Sequence, residues 1–79
     1  MFDLNDEEIR VLKVIKDLND RNEKTDYYQV VSEAQGDTGK MIPVVGRLED
    51  EGYVKSNGVI FRYFKITEKG LKKLEERNK

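Results

Sequence analysis

Apolar residues near the start of the chain recur at helical spacing. Val11, Val14, Ile15 and Leu18 share one face, with Ile9 and Leu12 widening it. So wide a stripe predicts a helix packed on more than one side. Asn5, followed three residues later by Glu8, predicts a capping box at its start, and the periodless polar run 19–24 predicts its end. A second, shorter helix follows, with Tyr27, Val31 and Ala34 in line and Val30 and Tyr28 beside them. Thr25 or Asp26 opens it, and Gln35-Gly36 closes it with glycine in its usual place just beyond a helix. Asp37 or Thr38 opens a third helix, whose inward face is Met41, Val44, Val45 and Leu48 and whose end is Gly52. Residues 53–56 read as a strand, and Asn57-Gly58 as the type I′ turn of a hairpin. The β-branched and aromatic residues of 59–67 return as the second strand, with Phe64 and Ile66 on one face. Thr67 then caps a final helix carrying Leu71 and Leu74, and residues 75–79 fray.

The order is helix, helix, helix, strand, strand, helix with short connections. Helices two and three, joined by a tight glycine-bearing turn, form a helix-turn-helix element, and the hairpin after them is a wing. The expected fold is mostly α with a small β-hairpin: a winged helix-turn-helix with a three-helix core, a two-stranded wing and a short C-terminal helix. Leu12, Ile15, Val31, Met41, Val45, Leu48, Val54, Phe64 and Ile66 are its expected core.

Length and composition narrow the chemistry. Seventy-nine residues suffice for one domain, 1–79, and not for two cores. A domain this small commonly gains stability from disulfides, a metal or a partner subunit. There is no cysteine and no histidine, which removes disulfides, thiol nucleophiles, the commonest metal ligand and the commonest general base near neutral pH. Nucleophile, base and orienting group do not converge anywhere, so an enzyme is not expected, nor a metal or cofactor. No stretch is apolar over the ~20 residues of a membrane span. The acidic N-terminus is the opposite of a signal peptide, so a cytoplasmic protein is expected.

The net charge of −1 is unhelpful to a nucleic-acid binder, whose affinity rests on phosphate contacts. Its distribution is more informative. Residues 1–52 carry seven basic and thirteen acidic side chains, whereas 53–79 carry eight basic and three acidic. Such polarity can steer one end toward an anionic partner. It equally fits a solvated, salt-bridged surface.

Two segments resemble prokaryotic winged-helix regulators: Arg47-Leu48-Glu49-Asp50-Glu51-Gly52-Tyr53-Val54, like the end of their recognition helix and start of their wing, and Ile66-Thr67-Glu68-Lys69-Gly70, like the wing's end. The run Gly39-Lys40-Met41-Ile42-Pro43-Val44-Val45-Gly46-Arg47-Leu48 is more specific. A proline inside the recognition helix, before an aliphatic pair and Arg-Leu-Glu, resembles the PadR-like family. Tyr28-Gln29-Val30 is similar to that family's second helix. The resemblance covers roughly residues 27–74 and implies a transcription regulator that binds double-stranded DNA. Ile42 stands where the family usually has tyrosine and Lys40 where it has threonine. The family's long C-terminal dimerisation helix has no counterpart after Leu74, so the match is to a minimal member.

On this reading Lys40, Pro43, Gly46 and Arg47 form the outward face of helix three, lying in the major groove. Arg47 would grip guanine or phosphate, Lys40 and Thr38 would meet phosphates near the helix start, and small Pro43 and Gly46 would let the helix approach closely. The alternative makes Arg47 part of a surface ion-pair set with Glu49, Asp50 or Glu51. Lys55, Asn57, Arg62 and Lys65 of the wing would straddle the backbone or enter the minor groove, or else serve as charged gatekeepers of an edge hairpin. Tyr27, Tyr28 and Tyr63 are half-buried packing residues or phosphate donors, and Lys69, Lys72 and Lys73 a solvated helix face. Val59, Ile60 and Phe61 either leave apolar surface at the wing tip, or the strand shifts register and one of them returns to the core. On the first reading Val59, Ile60 or Phe61, with the first or last helix, form an expected homodimer interface. A second functional class stays open: a winged helix that docks proteins and binds no nucleic acid. No effector is indicated.

Overall fold

The computed structural model describes residues 4–36, 38–58 and 62–77. The elements are α1 (Asp6–Asp20), α2 (Tyr27–Ala34), α3 (Thr38–Asp50), β1 (Val54–Asn57), β2 (Tyr63–Ile66) and α4 (Glu68–Arg77), in the order the periodicity predicts. Asn5 and Glu8 form the expected capping box, each side chain accepting the other's backbone N–H at 2.8 Å. Of the two candidates for the start of α2, Asp26 is the cap, accepting from the Gln29 amide.

The first three helices end the same way. After α1, Asn22 and Glu23 donate back to the Asn19 and Leu18 carbonyls. After α2, Gln35 and Gly36 donate to Ser32 and Val31, and after α3, Gly52 and Tyr53 donate to Glu49 and Leu48. Each pair is a Schellman motif, which needs one left-handed residue. Those residues are Asn22 (φ 60°), Gln35 (φ 53°) and Gly52 (φ 83°). Glycine is therefore not the left-handed residue behind α2, as expected from the sequence; Gln35 takes that conformation and Gly36 follows it.

The core gathers on α1, whose Val11, Leu12, Ile15 and Leu18 are fully buried. α2 adds Val30 and Ala34, α3 adds Met41, Val45 and Leu48, the hairpin adds Val54 and Phe64, and α4 adds Leu74. Each fully buried aliphatic side chain contributes roughly 1.5–3 kcal/mol. Seven of the nine expected core residues are buried; Val31 and Ile66 instead lie half-buried against the core's margin. α2 is turned so that Val30 faces inward and Tyr28 outward, and Leu71 on α4 is also exposed.

The hairpin pairs Val54 with Ile66, Lys55 with Lys65, Ser56 with Phe64 and Asn57 with Tyr63. Five residues therefore separate the last pair, and the turn expected at Asn57-Gly58 is not a two-residue one. A two-residue turn there would pair Ser56 with Val59 and send Phe64 and Ile66 to the solvent face, because an odd shift of register flips every side chain. Burial of Phe64 decides the register against the local turn signal. The expected strand residues Val59, Ile60 and Phe61, with the interface assigned to them, lie outside the described residues.

The outer edge of β2 is met partly by a side chain and partly by the backbone before α2. Asn19, near the end of α1, accepts from the Ile66 amide at 2.8 Å and donates to the Phe64 carbonyl at 3.2 Å. It also donates to the Thr25 hydroxyl at 2.9 Å, while the Phe64 amide donates to the Thr25 carbonyl at 2.8 Å. The Asn19 amide and the backbone of Thr25 and Asp26, which forms an isolated antiparallel bridge with Tyr63, thus share the backbone groups a third strand would otherwise meet.

Candidate nucleic-acid interface

Burial of Met41, Val45 and Leu48 turns the other side of α3 outward. Lys40 and Pro43 are exposed and Gly46 is half-exposed; the side chain of Thr38 lies outside the described residues. Ile42, which sequence reasoning did not place in the site, is 59% exposed on the same face. Gly46 is not left-handed, and a β-carbon there would meet nothing within 4 Å. A mid-helix glycine costs about 1 kcal/mol relative to alanine, and nothing inside the chain requires this one.

Arg47 is placed differently from the expectation. Its Nη1 lies 3.1 Å from Oε2 of Glu8, whose side chain is only 4% exposed. The guanidinium thus lies along the flank of α3 that meets the start of α1, neutralising a buried carboxylate rather than facing outward or pairing with Glu49, Asp50 or Glu51. A charge buried without its partner is strongly unfavourable, which explains why the arginine turns inward.

Glu49 is taken by the wing. Arg62 Nη2 lies 2.9 Å from both Glu49 oxygens and 2.7 Å from the Ser56 hydroxyl, which itself donates to Glu49. Arg62, expected to meet a partner, instead latches the wing to α3. Lys69, expected to be solvated, donates to the Glu51 carbonyl at 2.5 Å and lies 4.6 Å from the centre of the Tyr53 ring. It closes the end of α3, where a cation is favoured by the helix dipole.

On the wing, the inner pairs face the core, and Lys55, Lys65, Asn57 and Tyr63 stand exposed on the outer side. Lys55 and Lys65 are directly opposite one another, a like-charge pairing unfavourable in isolation. Lys24, in the turn between α1 and α2, lines the same depression as Lys65 and Asn57. Among the described residues whose side chains are placed, the cations with neither an ion pair nor a side-chain hydrogen bond are Lys13, Lys24, Lys40, Lys55 and Lys65. Apart from Lys13 on α1, they belong to α3, the wing and the turn beside the wing.

Between the start of α2, the outer face of α3 and the wing base lies an open cleft of about 390 Å³, lined by Tyr27, Tyr28, Ile42, Gly46, Arg62 and Phe64 among others. Tyr28, on its rim, is 80% exposed. Tyr27 packs edge-on against Phe64, ring centres 6.3 Å apart. Burial pushes its phenol up from the ordinary tyrosine range, so it remains a protonated donor through neutral pH. Periodicity alone gave no sign of Lys24, and α2's tilt, which exposes Tyr28, is set by tertiary packing.

No protein-family model matches the sequence, and no curated protein is significantly similar to it. Solved structures do share its architecture. MepR, a transcription regulator of the Staphylococcus aureus multidrug efflux pump MepA, superposes with a TM-score of 0.82 at 14% identity, over 98% of this chain and 57% of its own. AF1382 of Archaeoglobus fulgidus gives 0.81 at 12% identity, over 95% and 84%. ZitR of Lactococcus lactis, a zinc-responsive MarR family member, gives 0.76 at 12% identity, over 98% and 53%. The chain thus spans little more than half the length of MepR and ZitR. The four helices and two-stranded hairpin have the winged helix-turn-helix fold shared with these structures. Among the described residues no helix is long and apolar enough to cross a membrane.

Proposed function

We propose that this chain binds double-stranded DNA as a transcription regulator, with α3 in the major groove and the wing on the backbone or in the minor groove. The observation that carries this reading is the placement of the unengaged lysines: Lys40 beside the small outer face of α3, and Lys24, Lys55 and Lys65 around the wing. Cations already committed within the fold give little to a partner, whereas these can neutralise phosphates without breaking an internal contact. Asn57, exposed on the wing, and Thr38, by its place at the start of α3, remain assigned to the backbone, and Tyr28 joins them as a phosphate donor. The fold neighbours described as transcription regulators support the reading, and the Pro43-bearing recognition helix continues to favour a PadR-like relationship within it. We further propose that two copies bind together, since helix-turn-helix proteins commonly read paired half-sites.

Titration of a random-sequence duplex at rising salt tests this. Each phosphate contact adds about −0.9 to the slope of log affinity against log salt. Replacing Lys40, Lys55 or Lys65 with Gln should therefore flatten the slope by up to about 0.9 each, while Lys13→Gln leaves it unchanged. Sedimentation equilibrium with and without duplex reads the copy number. Failure to bind any duplex at low salt overturns the reading in favour of protein docking, for which the exposed Asp50 and Glu51 at the end of α3 are suited.

A further inference from the structure

The outer face of α3 has few ways to tell one base from another. Arginine reads guanine with two donors, and asparagine or glutamine reads adenine likewise. Arg47, however, is committed to Glu8, and the Glu49 carboxylate to Arg62 and Ser56. Lys40 is a point charge on a flexible stem, suited to phosphate. What projects between these groups is Ile42, exposed and apolar, flanked by Pro43 and by a Gly46 that the fold does not need. Lys40 apart, the described side chains of this face offer base edges only apolar contact, and their low profile lets the helix lie close. In the major groove one base feature answers to that, the C5-methyl group of thymine.

We infer that α3 selects its DNA by thymine methyl groups packed on Ile42, with Pro43 and Gly46 allowing the close approach. The inference rests on the DNA-binding reading above and adds the chemical class of sequence read.

The experiment takes the tightest-binding duplexes selected from a randomised pool and remakes each with deoxyuridine for thymidine. This removes the methyl and keeps every donor and acceptor in place. The expected result is a loss of affinity of about fourfold for each methyl buried, from the transfer free energy of one such group. In Ile42→Ala the ratio of affinities for the thymidine and deoxyuridine duplexes should collapse toward one. Equal affinity of the native protein for both duplexes overturns the inference while leaving DNA binding intact. So does a thymidine preference that survives Ile42→Ala. Absence of binding to every duplex in the pool overturns the DNA-binding reading and this inference with it.

Discussion

Arg47 holds the carboxylate of Glu8, and Glu8 in turn holds the first amide of the capping box. Removing the guanidinium leaves a buried charge with one partner fewer. Arg47→Ala is therefore expected to destabilise the protein by about 1–3 kcal/mol, since the arginine itself is one-third exposed and the pair is partly screened. Urea denaturation measures this directly; an unchanged midpoint would show that the pair contributes nothing. Helical spacing alone sends Arg47 outward with Lys40 and Pro43, and no local signal says otherwise. Its partner lies at the start of α1, and a contact between such distant points of the chain is written in tertiary packing alone. Glu8 was legible as half of a capping box, but its second role was not.

Gly46 poses a clean test for α3. Alanine there meets no obstruction and should stabilise the helix by roughly 0.5–1 kcal/mol. The same methyl stands on the face proposed to meet DNA, so Gly46→Ala should raise the melting temperature and weaken duplex binding together. A more stable variant with undiminished binding would show that close approach is not the reason for the glycine. At this scale the sequence was largely readable, because all four helices and the strands announce themselves by period and cap. The two regulator-like fragments are also physically intelligible. Gly52 supplies the left-handed turn into Tyr53, and the Tyr53 carbonyl accepts from both the amide and the hydroxyl of Thr67. Thr67 then caps α4 by accepting from Gly70, and Gly70 must lack a side chain because a β-carbon would strike the Tyr53 carbonyl. These residues clasp one another, so their pattern marks the fold. The hairpin register was not legible for the opposite reason: Asn57-Gly58 is a strong local signal, and the distant demand that Phe64 be buried overrides it.

Across the whole molecule, the basic C-terminal half visible in the sequence does not become a basic face of the same residues. Lys69, Lys72 and Lys73 are each engaged within the fold, and the lysines left over, Lys13 apart, are gathered from three separate parts of the chain. Charge counted along a sequence shows how much is present, while folding decides which of it reaches a partner. The Asn19 contacts bear on how the parts move relative to one another. Because a single amide from α1 holds Phe64 and Ile66 on one edge while β1 holds the other, the wing cannot come away unless the end of α1 is disturbed as well. Hairpin and helix should therefore open as one cooperative unit, and the Ile66 amide proton should exchange with deuterium about as slowly as those in the middle of α1. Asn19→Ala would release it to exchange faster while leaving the α1 protons near their native rates. If the Ile66 proton already exchanges rapidly in the unaltered protein, the wing breathes independently, and docking on a duplex would begin from many wing orientations instead of one.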